Sequence, residues 1–257
     1  QQDYAVLQSP LPDLTDRHRN IKLVLSYSWR FLRAEEARIL AECTLFRGGF
    51  DQAAAAITGA TPAMLAALVD QSLLHWSTEI AGHRRYALHA LVRQYAQEQW
   101  AQSPLRRQVQ MRYATYYLGL LEQAEAALLQ DRVAQEQLRC DLANIRAAWF
   151  WCIEQGEWAL LLHGVEALAR FYHLTGLHHE GLQTLHAALP VARHALTITE
   201  DAQPLLASLL IYSSEFCRYL NQLAEAETLA QEALTLGQQT ADIALLSSAY
   251  HELARVA

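Results

Sequence analysis

The sequence predicts a mainly α fold: a winged-helix domain with a small β-hairpin, followed by an α-solenoid of stacked helix pairs. Three observations carry that prediction. Six prolines and ten glycines in 257 residues leave the chain little punctuation, which favours long helices over many short strands. Near residue 82, alternating apolar residues flank a Gly-containing turn between helical stretches. Past residue 160, a helix-pair pattern recurs at a long and loose period.

Taken in order, residues 1 to about 15 hold Pro10, Pro12 and polar residues and read as a linker. A helix is expected from Asp16, because Ile21, Leu25, Trp29 and Leu32 fall on one helical face. A second helix spans about Ala34–Leu45 and ends before Gly48-Gly49. A short one covers about Asp51–Thr58, stopped by Gly59. Thr61-Pro62 then opens a helix to about Gln71 as N-cap and first-turn proline. Leu74 and Trp76, then Tyr86 and Leu88, alternate with polar neighbours around Gly82, the pattern of a β-hairpin. A helix over about Ala90–Gln102 follows at once. Helices leading into a hairpin and another helix describe a winged helix.

From Pro104 the chain reads as helical throughout. Val109, Tyr113, Tyr116, Tyr117, Leu120, Leu121 and Ala124 mark a long amphipathic helix. A further helix is expected over about Leu142–Gln155, stopped by Gly156. The remainder repeats. Aligning Gly164, Leu209 and Ala249 as starts gives spacings of 45 and 40 residues. Leu168, Ser213 and Leu253 then share one position, and Tyr172, Cys217 and Ala257 another. Ala188-Leu189 matches Ala233-Leu234, and Gly181 matches Ala226 at a small-residue position. Such tetratricopeptide-like pairs bury their apolar faces on their neighbours and stack. The expected organisation is a linker over 1–15, a winged-helix domain over 16–102, a helical spacer over 103–160, and repeats over 161–257 that stop short in the third copy. That truncation, and a start at Gln-Gln-Asp-Tyr rather than Met, suggest a piece of a longer protein.

Composition excludes several function classes. Hydrophobic residues make up 52% and charged residues 18%, enough to bury a core. A net charge of −7 is a poor general platform for nucleic acid, whose phosphates supply most non-specific affinity. No run of about eighteen apolar residues occurs, so no membrane span is expected, and the compartment is expected to be cytoplasmic. Cys43, Cys140, Cys152 and Cys217 lie far apart, which reads as buried reduced thiols rather than a disulfide or zinc framework. No Gly-x-x-x-x-Gly-Lys-Ser/Thr phosphate loop is present, so this chain itself is expected neither to hydrolyse ATP nor to hold a cofactor.

Several stretches together resemble a known family. DLTDRHRNIKLVLSYSWRFL, CTLFRGGFDQAAAAITGA, LVDQSLL and YALHALVRQYAQEQW, in that order, resemble the winged-helix domain of signal transduction ATPases with numerous domains. These are bacterial relatives of plant resistance proteins and apoptotic protease-activating factors, sharing their NB-ARC nucleotide switch. DLANIRAAWFWCIEQGE resembles the segment that precedes the tetratricopeptide sensor in many of them. The resemblance implies an adjoining nucleotide-binding domain that holds ADP or ATP in the parent protein. In the family a Met-His-Asp triplet supplies a His that contacts the ADP β-phosphate. Here the triplet reads Leu88-His89-Ala90, keeping the His and lacking the carboxylate. The resemblance therefore implies that His89 contacts phosphate, and that an unknown inducer or partner binds the repeats. From the residues alone, His89 is either a capping or packing residue or an anion contact at a strand-to-helix junction, where free N–H groups attract anions.

Other candidates have bland readings. Winged helices often bind DNA, but the helix over Pro62–Leu74 holds no Lys or Arg and adds Asp70. His173, His178, His179 and His186 lack a carboxylate–histidine ligand motif, so no metal is expected. Trp149, Trp151 and Trp158 read as core. No nucleophile elbow occurs, so no catalytic residue is expected. Tyr172, Thr175, Leu210 and Tyr250 either line an apolar concave groove or pack between repeats.

Overall fold

The computed structural model describes residues 25–80, 83–124, 126–128 and 131–256. The chain divides into two compact units, the first closing at Val109 and the second running on from Gln110. The expected linker over 1–15, the start of the first helix at Asp16 and Ile21 lie outside the described residues.

The first unit is a winged helix. Residues 25–30 are helical and form α1. Helix α2 (Ala34–Glu42) runs into a 3-10 turn, Cys43–Leu45. Helix α3 (Gln52–Ala55) begins at Asp51, whose carboxylate accepts from Ala54 N at 2.7 Å. It ends in a 3-10 turn at Gly59, left-handed with φ 76°, a conformation only glycine adopts without steric cost. Helix α4 (Pro62–Asp70) is capped by Thr61, as the Thr-Pro pair predicted. The hairpin then forms from β1 (Leu74–Ile80) and β2 (His83–Leu88), and helix α5 (Ala90–Trp100) follows.

Phe50 adds a short third edge to the sheet. Its N–H donates to Tyr86 O at 3.0 Å, and Tyr86 N–H donates back at 2.7 Å. The preceding Gly49 has φ +112°, and a Cβ there would stand 3.2 Å from Tyr86 O. Glycine is thus the residue that lets the two backbones meet. Phe46, Phe50 and Tyr86 stack in sequence beneath this edge, with Ile39, Leu40, Leu65, Leu68 and Leu74 buried around them. Burying each such side chain stabilises the fold by about 1.5–3 kcal/mol. Arg93 of α5 donates to Thr44 O and Phe46 O at 2.9 and 2.8 Å, satisfying carbonyls that the 3-10 turn leaves over.

The first compact unit runs on to Val109. Val109, in the first turn of α6 (Arg106–Ala124), is fully buried with Trp100 and Ala41, and Trp29 and Leu45 pack on the same cluster.

The second unit is a succession of helix pairs. Tyr113 of α6 donates through its hydroxyl to Asn144 O and Oδ1 at 3.1 and 3.0 Å, joining α6 to α7 (Arg132–Gln155). Helix α7 starts ten residues before the expected Leu142, at an Asp131 cap that accepts from Val133 N. Its first two turns bury only Leu138 fully, so they carry no apolar stripe to read. Helices α8 (Trp158–Leu174), α9 (His178–His186), α10 (Leu189–Leu196), α11 (Gln203–Tyr219), α12 (Leu223–Thr240) and α13 (Ile243–Val256) follow. The second helix of the first repeat is split into α9 and α10. Pro190 sits in the first turn of α10, where its missing N–H breaks the helical ladder.

The 45-residue register is visible in the backbone. After α8, Leu177 N–H donates to Tyr172 O across Gly176, φ +70°. After α11, Gln222 N–H donates to Cys217 O across Asn221, φ 60°. Each is a Schellman closure with a left-handed residue just past the helix. The 40-residue step also holds, since α11 starts at Gln203 and α13 at Ile243. At the small-residue position, a Cβ on Gly181 would stand 2.7 Å from Phe216 Cε2 and 2.9 Å from Tyr172 Cβ. The side-chain-free glycine is what lets α9 cross α8 and α11 so closely.

Candidate functional site

His89 is the N-cap residue of α5, between the end of β2 and the first helical turn. Its backbone is extended, φ −59° and ψ 143°, and its side chain makes no capping hydrogen bond. The imidazole is exposed. A helix of eleven residues thus begins with its first-turn N–H groups uncapped by the N-cap side chain, beside a ring that reaches solvent. The local charge favours an anion, because free N–H groups and the helix dipole both point their positive ends there.

A second imidazole stands next to it. The His75 and His89 rings lie 4.5 Å apart between centroids, tilted by 39°. His75 Nδ1 is buried without a hydrogen-bond partner. Sequence reasoning missed this residue. The signal was available in the hairpin itself, since His75 and His89 lie seven residues either side of Gly82.

Ala90 is exposed and supplies no carboxylate. Of the Arg84-Arg85 pair in the wing, Arg85 is buried and donates to Gly49 O at 2.9 Å. Arg84 lies over the Trp76 ring at 5.4 Å. The pair is therefore not a free basic cluster, because one member closes the loop beneath the sheet edge.

The four residues offered for the repeat groove do not form one open apolar surface. Tyr172 is fully buried, its hydroxyl 3.2 Å from Thr184 Oγ1. Leu210 is also fully buried. Thr175 is half-buried, donates to Phe171 O at 2.7 Å, and borders a cleft lined by Arg132, Gln135, Glu136, Arg139 and Cys140. That cleft carries two arginines and a glutamate. Tyr250 is exposed on α13. The register explains the outcome: Tyr172 shares its repeat position with Cys217, and both are interior.

The histidines separate into small groups. His178 stacks on Tyr219 at 4.6 Å, with His173 5.1 Å from the same ring. His179 pairs with Gln183 on the surface. His186 lies apart, where the donor atoms of His186, Cys217 and Glu225 all fall within 4.8 Å of one another. Burial pushes the Cys217 thiol up to about 12, assisted by Glu225. Burial lowers His186 below the usual imidazole value, against the pull of Glu225. Of the three tryptophans expected in the core, Trp149 is buried and donates to Thr184 O at 2.9 Å, while Trp151 and Trp158 are half-buried. Among the described residues no single helix is long and apolar enough to cross a membrane.

Comparison with known proteins agrees with the fold of the first unit. No match was found among curated proteins. Among solved structures, the chain is similar to a signal transduction ATPase with numerous domains that carries a tetratricopeptide repeat sensor, from Pyrococcus horikoshii. Identity is 14% and the TM-score 0.43, over 91% of this chain and 36% of that one, so this chain spans about a third of its length. Residues 32–101 match the family model of the winged helix-turn-helix domain, and that stretch of the chain is such a domain.

Proposed function

We propose that this chain is the regulatory and sensor part of a signal transduction ATPase. In this reading the winged helix, through His89, holds an adjoining nucleotide-binding domain in its ADP-bound, autoinhibited state. The helical repeats receive an inducer or partner. The chain performs no catalysis of its own, and its nucleotide belongs to the neighbouring domain.

One observation carries the proposal: the exposed imidazole of His89 stands at the start of α5 and makes no capping hydrogen bond there among the described residues, which leaves it available to an anion at the helix end. An imidazole in that place donates to a phosphate oxygen in either protonation state. His75 packs against it and holds the ring. An inducer on the repeats opens the switch only by binding the open state more tightly than the closed one.

The test is the ADP dissociation rate of the parent protein carrying His89→Ala. A hydrogen bond to a charged group contributes about 1.5–3 kcal/mol, so ADP release is expected to rise roughly ten- to a hundred-fold, with activity appearing without inducer. An unchanged release rate overturns the assignment. A plain tetratricopeptide scaffold predicts no phosphate-loop sequence upstream of Gln1 in the parent gene and no nucleotide dependence.

A further inference from the structure

The position opposite Cys217 distinguishes the second repeat from the first. In the first repeat, Glu180 at the start of α9 forms an ion pair with Arg146 at 2.9 Å, and Tyr172 closes the contact through Thr184. Forty-five residues on, Glu225 replaces Glu180 and Cys217 replaces Tyr172, but Val191 stands where Arg146 did. The carboxylate thus loses its guanidinium. Its nearest nitrogen partner is instead the His186 imidazole, with Nδ1 at 3.9 Å. Three donors of three kinds, an imidazole nitrogen, a sulfur and a carboxylate oxygen, converge from the end of α9, the last turn of α11 and the start of α12. His186 Nε2 is buried and has no hydrogen-bond partner.

We infer that His186, Cys217 and Glu225 form a binding site for a zinc-class divalent cation that joins two consecutive helical repeats. The donor set is of the mixed nitrogen, sulfur and oxygen kind that zinc and cobalt accept. Bond lengths of about 2.0–2.3 Å from ion to ligand require the donors to close up modestly from their present spread of 4.8 Å. Glu225, half-exposed at the helix start, is the arm able to swing. Binding exchanges the thiol proton for the metal: the S–H bond breaks, a sulfur–metal bond forms, and one proton leaves to solvent. Three protein ligands leave a fourth, tetrahedral position for water. The cation cross-links α9, α11 and α12, so binding adds to the stability of the stack.

The experiment is a titration of the full chain with Co²⁺ under reducing conditions, read by absorption, followed by competition with Zn²⁺. One equivalent of Co²⁺ is expected to give a near-ultraviolet thiolate charge-transfer band and visible bands of tetrahedral cobalt, both lost on adding Zn²⁺. Cys217→Ser removes the charge-transfer band, and Cys140→Ala leaves it unchanged. Glu225→Gln, at a half-exposed side chain, weakens Zn²⁺ binding at least roughly ten-fold, since outer-shell partners alone are worth 10–100-fold. Absence of the band in the native chain overturns the site. So does a band that survives Cys217→Ser, or Zn²⁺ affinity indifferent to Glu225→Gln.

Discussion

Replacing either of two helical glycines with alanine yields opposite results if the repeat packing is as described. At Gly181, the new Cβ would meet Phe216 Cε2 at 2.7 Å, Tyr172 Cβ at 2.9 Å and Phe216 Cζ at 3.1 Å. Carbon atoms rest about 3.5–4.0 Å apart, so the overlap approaches 1 Å. Tyr172 Cβ is anchored to its backbone and cannot swing away. Overpacking of this kind costs about 1–3 kcal/mol, and the gain in helix propensity from Gly to Ala returns up to about 1 kcal/mol. With overpacking at the upper end of that range, because two contacts fall below 3.0 Å, the net expectation is a loss of about 2 kcal/mol, or a Tm lower by about 4–8 °C for a chain of this size. At Gly119, inside α6, a Cβ meets nothing within 4 Å. There only the propensity remains, and stability rises by about 0.8–1 kcal/mol. Thermal unfolding followed by circular dichroism reads both variants. A Gly181→Ala chain as stable as the native one would show that α9 does not cross α8 and α11 this closely.

Three further outcomes follow from the same packing. Cys43 and Cys152 are fully buried, and burial raises both thiols, Cys152 to about 12. Thiol reagents at neutral pH should label half-buried Cys140 first and reach Cys43 and Cys152 only on unfolding; rapid labelling of either contradicts the core. Burial raises Tyr86, Tyr172 and Tyr212 above the ordinary phenol value, Tyr212 most. The native state therefore favours the neutral phenols. Their contribution is complete below about pH 10, the unfolded value, and declines as pH rises through the native values. Absorbance titration should show them ionising after the exposed tyrosines and together with unfolding. Duplex DNA in a gel-shift assay at moderate salt should not be retained, because α4 has no basic residue and Arg85 is committed to Gly49 O. A shift abolished by Arg84→Ala would reinstate DNA binding.

Much of the fold was legible because it rests on local chemistry. Thr61-Pro62 capped a helix, a hairpin formed over Leu74–Ile80 and His83–Leu88, and Gly156 ended a helix, each within a residue or two of its expected place. The repeat register was legible too, since the turn residues Gly176 and Asn221 keep the 45-residue spacing. What escaped depended on contacts rather than pattern. The start of α7 is polar on nearly every face, so periodicity had nothing to follow. Val109 joins the first unit through Trp100 and Ala41, which are distant in sequence from each other. For Tyr172 and Leu210 the sequence left groove lining and packing between repeats both open, and the structure buries both. His75 beside His89, and Glu225 beside Cys217, became neighbours only when the hairpin and helix pairs folded.

The distance from the His89 imidazole to the nucleotide, in a crystal structure of the parent protein with ADP bound, tests the central claim most directly. The account predicts a ring nitrogen within about 2.7–3.2 Å of a phosphate oxygen, with the start of α5 facing the same anion. A nucleotide bound elsewhere, with His89 still open to solvent, would contradict it.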